Sequence, residues 1–349
     1  MRKILFILKE RQYSPSKSYG LINSDDHLSE FLISRGYECK IVTVVDSNFI
    51  DKEVHEFKPD IVILEALWVP VYKLKELMSL HKYEHIKWIV RVHSDIGYLS
   101  AESQSIRYIN EYRHLNNPNL TISFNCKELV DCLSDAMRCK FTYLPNVINI
   151  KRPREDCIKE KGHIDIGCFG ATRLLKNQCF QALCAIKATD LLGKTLKFHV
   201  TPHLDDTIID PVLENLKELF KENRHELVIH DWLPNDEFQE LVKGMDIGLQ
   251  LSYTESFNIV SADFINNSRV ILGSEAIDWL PDIMKSSTVN YEEATKKIIF
   301  AYRLRNSEWL KQLLRDNLRS YNTQAKHEWL EFLRKHYGRY ENKKSDRSK

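Results

Sequence analysis

Short apolar runs recur along the first 150 residues and are separated by polar or amphipathic stretches. Six of these runs are typical of buried strands: residues 4–8, 39–45, 61–64, 88–92, 120–124 and 141–144. Between the first two, residues 19–35 repeat apolar side chains at helical spacing and stop at Gly36, which predicts a helix. Strands that alternate with helices, each strand a nearly continuous apolar run, predict a parallel sheet covered on both faces.

The alternation restarts after a charged stretch at residues 151–161. Further strands are predicted at residues 164–169, 196–200, 227–230, 247–251 and 270–272, with helices at about residues 177–192, 212–223, 236–245 and 256–267. Only helical patterns follow Asn290, the last of them at residues 323–340, and a disordered tail is expected at residues 341–349. The pattern predicts an α/β protein of two Rossmann-like, doubly wound parallel-sheet domains, residues 1–150 and 151–322, with a cleft between them.

Composition places the chain among ordinary globular proteins, with 43% hydrophobic and 28% charged residues in a total of 349. That length suits two domains, each large enough to bury a core of its own. The net charge is +1, but residues 301–349 hold 13 Lys/Arg against 6 Asp/Glu. This basic C-terminal end could contact a polyanion such as nucleic acid, or it could be a solvated helix face followed by a frayed tail.

The eight cysteines form no C-x-x-C pair, and several lie inside apolar patterns. They are therefore expected to be buried free thiols in a reducing compartment, not disulfides or zinc ligands. No stretch approaches the ~20 apolar residues of a membrane span, and the run at residues 4–8 is too short for a signal peptide. We expect a cytoplasmic protein with no stable membrane insertion.

Ligands of open parallel sheets bind beyond the carboxyl ends of the strands, so chemistry is expected in the loops there. After the strand at residues 247–251, Thr254 or Glu255 is predicted to be the N-cap of the next helix. Three backbone N–H groups would then be free to bind an anion such as a diphosphate, namely those of Ser256, Phe257 and Asn258.

Two acids mark the same segment. Glu255 and Asp263 are eight positions apart, which corresponds to about 12 Å of rise along a helix. That separation matches the reach from a sugar to a ribose across a pyrophosphate. A capping acid and an unrelated surface acid are the alternative interpretation of this pair.

A second segment follows the strand at residues 164–169, which ends in Gly170. A short loop then carries Arg173 and Lys176 to the start of the next helix at Asn177. Two cations in this position could neutralise the charge that grows on a departing nucleoside diphosphate, a role that a divalent metal takes in other sites. Two solvated basic residues in a loop are the alternative interpretation.

Metal chemistry finds little support in the sequence. The pairs Asp25-Asp26 and Asp205-Asp206 are expected to be solvated, because neighbouring residues of a helix point about 100° apart and the second pair falls in a turn. No Walker loop, H-E-x-x-H or G-x-S-x-G motif is present. No metal site is therefore predicted.

Taken together, and in this order on the second of two Rossmann-like domains, the two loop segments resemble glycosyltransferases of the GT-B fold, and more narrowly the retaining family GT4. The Glu-x7-Glu motif of that family reads Glu255-x7-Asp263 here, so that the second acid is one methylene shorter. Its glycine loop, arginine and Lys-Asn step are matched by Gly170, Arg173, Lys176 and Asn177. In that fold a C-terminal helix, here residues 323–340, commonly crosses back to the first domain.

The resemblance implies a role for each of these residues. Arg173 and Lys176 would hold the diphosphate, with Gly170 and Asn177 in the same donor-binding loop. Glu255 would bond the hydroxyls of the sugar.

The same resemblance supplies the remaining donor-binding positions. Asp263 would bond the ribose hydroxyls, and His230 lies in the segment that resembles the strand and loop contacting the nucleotide base. The backbone amides of three residues would face the phosphates or the sugar: Ser256, Phe257 and Asn258.

His93 follows the fourth predicted strand. A histidine at that strand end in relatives meets the donor sugar near the reacting carbon, whereas a core or capping histidine is the alternative. Residues 88–99 are also similar to glycosyltransferases of tailed phages, some of which add sugars to hydroxymethylated pyrimidines in phage DNA. The loop at residues 12–20 is longer than the glycine pair usual in the family, which points to an unusual acceptor.

The resemblance thus implies a retaining hexosyl- or pentosyltransferase that uses a nucleoside diphosphate sugar and neither a cofactor nor a metal. Its acceptor would be a hydroxymethylated pyrimidine of phage DNA, in the host cytoplasm, or a surface glycan or lipid precursor. A non-catalytic GT-B-like binding protein is the alternative of another class, because Asn258 and Asp263 depart from the family's pattern. An oxidoreductase would need a G-x-G-x-x-G turn after the first strand, and none follows residues 4–8.

Overall fold

The computed structural model describes residues 2–10, 20–101, 103–151, 157–203 and 209–337. The chain divides into two compact units, with boundaries between Ile148 and Asn149 and between Tyr321 and Asn322. The first unit contains the N-terminal sheet and residues 322–337, and the second contains the C-terminal sheet. Six predicted features lie wholly or partly outside the described residues: the loop at 12–20, the helix at 19–35, the linker at 151–161, the Asp205-Asp206 pair, the helix at 323–340 and the tail at 341–349.

The first unit is built on a six-stranded parallel sheet with the strand order β2-β1-β3-β4-β5-β6. Its strands are β1 (Lys3–Lys9), β2 (Glu38–Val44), β3 (Ile61–Glu65), β4 (Lys87–Val92), β5 (Leu120–Phe124) and β6 (Thr142–Tyr143). The helices around it are α1 (Gly20–Ser34), α2 (Ile50–Phe57), α3 (Val71–Ser79), α4 (Ile96–Leu99), α5 (Ser105–His114) and α6 (Lys127–Met137). The order of the strands reverses between β1 and β3.

The second unit repeats this architecture with five parallel strands in the order β11-β10-β7-β8-β9. The strands are β7 (His163–Ala171), β8 (Thr195–Thr201), β9 (Glu226–Ile229), β10 (Ile247–Gln250) and β11 (Val270–Gly273). The helices are α7 (Gln178–Leu191), α8 (Pro211–Lys221), α9 (Asn235–Lys243), α10 (Ile259–Asn266), α11 (Tyr291–Arg303) and the start of α12 (Glu308–Tyr337). Because β7 and β10 are neighbours, the strand order of this sheet reverses between them.

Local sequence sets the helix ends in the second unit. Asp210 caps α8 by accepting hydrogen bonds from the backbone N–H groups of Val212 and Leu213, both at 3.1 Å, and Pro211 occupies the first helical position. Asn290 caps α11 in the same manner, through the N–H of Glu293 at 3.1 Å. These caps satisfy N–H groups that a helix start leaves without a partner.

The helix α10 packs unusually close to the sheet beneath it. A Cβ atom added to Gly248 of β10 would lie 2.7 Å from the ring of Phe264 and 2.3 Å from Ile271. No real side chain fits there, so the glycine is required by space and not by backbone conformation. This contact fixes the height of α10 above the sheet, and with it the loop that precedes the helix.

The observed strands follow the predicted apolar runs closely, which confirms the two-sheet parallel α/β architecture. The main difference is the strand predicted at residues 141–144, of which only Thr142–Tyr143 pairs with β5. Over its described residues, 323–337, the helix predicted at residues 323–340 is the second half of the longer α12.

The cysteines agree only in part with the expectation of buried free thiols. All eight are free, and Cys168 and Cys184 are buried. Cys132 and Cys157 are exposed, so the expectation was wrong for these two. Across the described residues, no helix combines the length and the apolar character that crossing a bilayer requires.

Candidate active site

The reversal of strand order between β7 and β10 is the position where open α/β sheets generally bind ligands. Two charged side chains meet there. Lys176 lies in the loop after β7, and Glu255 lies in the loop after β10. The structure therefore brings together two residues that are 79 positions apart in the sequence.

The loop after β7 is folded tightly at its start. Gly170 has a φ of +100°, which favours glycine, whereas a Cβ there would meet only Lys176 Cε at 3.7 Å. Its N–H donates to Thr201 Oγ1 at 3.0 Å. A single 3-10 turn, Leu174–Lys176, then turns the lysine back towards the end of β7. Glycine is therefore required at position 170 by the positive φ of the backbone and not by a lack of room for a side chain.

Asn177 ends that turn and anchors the loop. Its backbone is left-handed, with a φ of +57°, which asparagine tolerates better than most residues. Its side-chain amide donates to the carbonyls of Leu251, at 3.2 Å, and Thr288, at 2.9 Å. Both amide hydrogens of Asn177 are therefore used within the protein, which makes it a positioning residue of the Lys176 loop.

The ion pair itself is short and shielded from water. Lys176 Nζ lies 2.5 Å from Glu255 Oε1, and the two side chains are 11% and 9% exposed. Burial alone would raise the pKa of Glu255, but the ammonium of Lys176 outweighs it, so the pKa lies below its ordinary value. Arg173 lies three positions before Lys176 and is exposed. Its charge also lowers the pKa of Glu255. Glu255 is therefore an anion that is paired with Lys176 and further stabilised by the charge of Arg173.

The chain between β10 and α10 is held by contacts at both ends. The N–H of Tyr253 donates to the carbonyl of Leu175 at 2.9 Å, which joins it to the Lys176 loop. Trp279 Nε1 donates to the carbonyl of Phe257 at 2.7 Å, and the buried ring of Phe257 stacks on Tyr321 with the ring centroids 5.0 Å apart. Glu255 lies between these two anchors.

The helix that follows begins later than predicted, so the predicted N-cap is wrong, whereas anion binding by the backbone amides before the helix stays a prediction. Asn258 is the N-cap of α10, with a φ of +64°, and its Oδ1 accepts from the N–H of Ser261 at 2.8 Å. The amides of Ser256, Phe257 and Asn258 therefore precede the first turn, and neither Thr254 nor Glu255 is the cap. The physical reason is that asparagine both adopts left-handed backbone and caps well, whereas Phe257 is held outside the helix by its aromatic neighbours.

The predicted 12 Å of helix rise between Glu255 and Asp263 is also wrong, because only Asp263 is helical. Asp263 is buried, and its Oδ1 accepts from Gln239 Nε2 of α9 at 2.8 Å. Burial raises the pKa of Asp263 to about 7, although the Gln239 bond and the charge of Lys151 oppose the rise. The role of Asp263 at a ribose stays a prediction.

The first unit has its own buried charges at the reversal between β1 and β3. Arg91 of β4 is fully buried, and its Nη1 lies 3.3 Å from Glu65 Oε1, at the end of β3, and 3.6 Å from Asp25 Oδ1 of α1. Burial would raise the pKa of Glu65, but Arg91 and His93 lower it to about 2. The expectation that Asp25 is solvated was wrong: its side chain is fully buried, and burial and the charge of Glu65 raise its pKa.

His93 belongs to this same cluster. Its Nε2 forms a hydrogen bond with Glu65, and its Nδ1 lies 3.4 Å from Asn125 Nδ2. Burial and the charge of Arg91 lower the pKa of His93, against the attraction of Glu65. Both ring nitrogens thus have partners within the first unit, and the contact of His93 with a donor sugar stays a prediction.

No protein-family model and no curated protein sequence matches the chain. Solved structures do. Sucrose-phosphate synthase from Thermosynechococcus elongatus superposes with a TM-score of 0.70 at 10% identity, over 97% of this chain and 99% of that one. Trehalose-6-phosphate synthase, in work on glycosyl transfer with retention, gives 0.60 at 9% identity, over 95% and 98% of the two chains.

The chain has the GT-B fold. S. aureus TarM, solved with fondaparinux, alpha-GlcNAc-glycerol and UDP, is a further structural neighbour, with a TM-score of 0.62 at 12% identity over 82% of this chain and 57% of that one. Identities this low make the similarity one of fold. The GT-B fold accounts for the two parallel sheets that the apolar pattern predicted.

Sequence reasoning missed the polar side chains that hold this GT-B site together. Gln181 bridges the two loops, because its Nε2 donates to the Lys176 carbonyl at 2.7 Å and its Oε1 accepts from the Leu251 N–H at 2.9 Å. Gln250 of β10 joins the same two segments, because its Nε2 donates to the carbonyl of Phe169 in β7 at 2.9 Å. A glutamine inside an apolar strand, as at position 250, is the signal that could have identified such a residue.

Within the described parts of the chain, no three His, Cys, Asp or Glu residues are placed to hold a metal ion. The charges of Lys176 and Arg173 both lower the pKa of Glu255. Independence from metal stays a prediction.

Proposed function

We propose that this protein is a glycosyltransferase that moves a sugar from a nucleoside diphosphate sugar to a hydroxyl acceptor and retains the anomeric configuration. The observation that carries the proposal is the buried Lys176–Glu255 ion pair at the strand-order reversal of the second unit. The reversal point is the general ligand position of open α/β sheets. The shared fold with sucrose-phosphate synthase and trehalose-6-phosphate synthase supports the same reaction class.

In this proposal Lys176 changes partner when the donor binds. Its ammonium has three N–H donors, and Glu255 is its only side-chain partner among the described residues. A diphosphate carries more charge than one carboxylate and therefore competes well for Lys176 and Arg173. Glu255 would then accept hydrogen bonds from the hydroxyls of the sugar, as the resemblance to the GT4 family implies.

Transfer would proceed by displacement on the front face of the sugar. The bond from the anomeric carbon to the diphosphate oxygen breaks, and the acceptor oxygen bonds to the same face of that carbon. The acceptor's proton passes to the departing diphosphate, so no enzyme nucleophile is needed. Lys176 and Arg173 stabilise the charge that grows on the leaving group, an effect worth about 10²–10³ in turnover for one such group in other enzymes. Retention is the outcome described for trehalose-6-phosphate synthase.

The acceptor is proposed to be a hydroxyl on a glycan or lipid precursor, ahead of a hydroxymethylated pyrimidine in DNA. Of the basic side chains in the C-terminal part that the structure describes, several already have acidic partners: Arg305 with Glu160, Lys311 with Glu308, Arg319 with Asp316 and Arg334 with Glu331. Paired charges attract a polyanion less strongly. Tight, salt-sensitive binding to duplex DNA would reverse this order.

A thermal-shift panel of nucleoside diphosphate sugars tests the proposal first. A true donor at about 100 times its Kd stabilises the native state by about 2.7 kcal/mol, which raises the melting temperature measurably. Donors that stabilise the protein are then incubated with acceptor hydroxyls, and release of the nucleoside diphosphate is measured. No stabilisation by any donor would contradict the proposal, and stabilisation without any release would favour the non-catalytic binding protein.

A further inference from the structure

A chain of three buried and half-buried polar side chains crosses the second sheet. His199 of β8 places its Nε2 3.1 Å from Asp165 Oδ1 of β7, and its Nδ1 2.8 Å from Nε2 of His230, the residue after β9. The two imidazole rings are within 11° of parallel, with centroids 5.1 Å apart. Nitrogens only 2.8 Å apart are closer than stacked ring faces can approach, so the rings meet edge to edge in nearly one plane.

The charge of Asp165 determines which imidazole nitrogens along this chain carry a hydrogen. Its carboxylate also contacts Lys161 Nζ at 2.5 Å and His163 Nε2 at 3.3 Å, and burial, which would raise its pKa, is outweighed by the hydrogen bonds from His199 and Lys161. An ionised carboxylate only accepts hydrogen bonds, so the Nε2 of His199 must carry the hydrogen. A neutral His199 then accepts at Nδ1, and Nε2 of His230 must donate to it.

His230 is consequently left with a lone pair on Nδ1 and no hydrogen there. No described residue forms a hydrogen bond with that nitrogen, and His230 is half-buried. Burial lowers the pKa of His230 below its ordinary value, which favours the neutral ring. A neutral ring with a bare Nδ1 is a hydrogen-bond acceptor and cannot donate from that atom.

This acceptor lies at the same edge of the sheet as the Lys176 loop. The ring of His230 meets the ring of Phe169 edge to face, with centroids 6.0 Å apart. Phe169 precedes Gly170, whose Cβ position is 3.7 Å from Lys176 Cε. Two consecutive residues at the end of β7 thus lie next to His230 and next to Lys176, and a bound nucleoside diphosphate would place its base at the first and its phosphates at the second.

We propose that the Asp165–His199–His230 chain fixes the tautomer of His230 so that its Nδ1 accepts the ring N–H of the donor's base. The inference rests on the proposed function. Uracil, thymine and guanine carry a hydrogen on the ring nitrogen between their polar substituents, whereas that nitrogen in cytosine and adenine is itself an acceptor. His230 therefore selects donors whose base has a ring N–H, and His199 is a positioning residue for this choice.

The tautomer is measured directly by two-bond ¹H–¹⁵N NMR of the whole protein labelled at histidine nitrogens, with His230→Phe to assign the signals. We expect His230 to be protonated at Nε2 and bare at Nδ1. In His199→Phe the two tautomers should both be populated. His163→Phe is the matched control, because it removes another contact of Asp165 but leaves the path to His230 intact. A hydrogen on Nδ1 of His230 in the unchanged protein would overturn the proposal.

Base choice is tested by the binding of UDP, GDP, CDP and ADP, measured by calorimetry. We expect UDP or GDP to bind about tenfold more tightly than CDP and ADP, the value of one good hydrogen bond. The ratio of the two affinities should fall towards one in His199→Phe and His230→Phe, and should stay near ten in His163→Phe. If the first two variants melt like the unchanged protein and keep the base preference, this inference is overturned but the proposed function is not. Failure of all four nucleotides to bind would count against the proposed function itself.

Discussion

Both units bury charged side chains where their strand order reverses, but the cation of the first unit uses more of its hydrogen-bond donors within the protein than the cation of the second. In the first unit all three guanidinium nitrogens of Arg91 are bonded, to Glu65, Asn146 and the carbonyls of Leu144 and Pro145. In the second unit Lys176 has one side-chain partner, Glu255, among the described residues. The same position in two similar sheets therefore holds a cation with every nitrogen bonded in one case and a cation with a single side-chain partner in the other.

This difference indicates which of the two equivalent positions is expected to bind a ligand. A buried guanidinium with every donor used stabilises the surrounding loops and would lose bonds by contacting a ligand. An ammonium with donors to spare gains bonds from an anion and can return to its carboxylate afterwards. We therefore expect substitutions in the first cluster to change stability and substitutions in the second to change turnover.

The largest effect is expected from Glu255→Ala, which should reduce transfer to an undetectable level while the protein stays folded. The reason is that the variant removes the carboxylate proposed to bind the sugar hydroxyls. Product formation and the circular dichroism spectrum are the two measurements. Glu275→Ala, which alters a 79% exposed acid of the same unit, is the matched control. Retained transfer in Glu255→Ala would remove Glu255 from the site.

Arg91→Met should destabilise the protein by about 3–5 kcal/mol, because it leaves Glu65 and Asp25 buried without their cation. The measurement is the urea midpoint of unfolding. Arg107→Met is the control, since the Arg107 side chain is 61% exposed and its pairing with Glu111 is worth little. Equal midpoints for the two variants would show that the first cluster is not a structural network.

Lys176→Ala should lower turnover by at least ~10²-fold, the cost of losing one stabiliser of leaving-group charge. The exposed Lys187 of α7 supplies the control variant, Lys187→Ala, for which no change is expected. Turnover is measured with saturating donor. Near-normal turnover in Lys176→Ala would refute the proposed stabilisation of the diphosphate.

Asp263 should make stability depend on pH, because its folded-state pKa of about 7 lies above the ordinary value of a carboxyl. Its contribution is fully present below about pH 4 and is lost as the pH rises through about 7, a change on the order of a few kcal/mol. The measurement is unfolding in urea across that range. Asp263→Asn should flatten the profile, and an unchanged profile in that variant would assign the pH dependence to other groups.

The smallest effect is expected at the start of α10. Asn258→Ala should cost about 1–2 kcal/mol, because it loses the cap to Ser261 and places a Cβ at a positive φ. Asn258→Gly should cost less, since glycine adopts that backbone freely. Thermal unfolding of the two variants compares them. A glycine variant less stable than the alanine variant would contradict the strained conformation of Asn258.

Sequence reasoning located the strands and both members of the ion pair, but it misplaced the helix start and the acids around it. The strands were predictable because buried parallel strands are apolar along their whole length. The start of α10 was not, because Phe257, the residue before the Asn258 cap, is bonded to Trp279, which is distant along the chain. The burial of Asp25 was not predictable from the local pattern, because its partners, Glu65 and Arg91, lie far away along the chain.

By itself, the amino-acid sequence determined the two parallel α/β sheets and the residue types at their strand ends, since apolar periodicity and turn residues act locally. Only the tertiary structure decided which charges meet: Lys176 with Glu255, Arg91 with Asp25, and Asp165 with His199 and His230. The physical reason is that strand order, and not chain order, sets the neighbours of a side chain at the edge of a sheet.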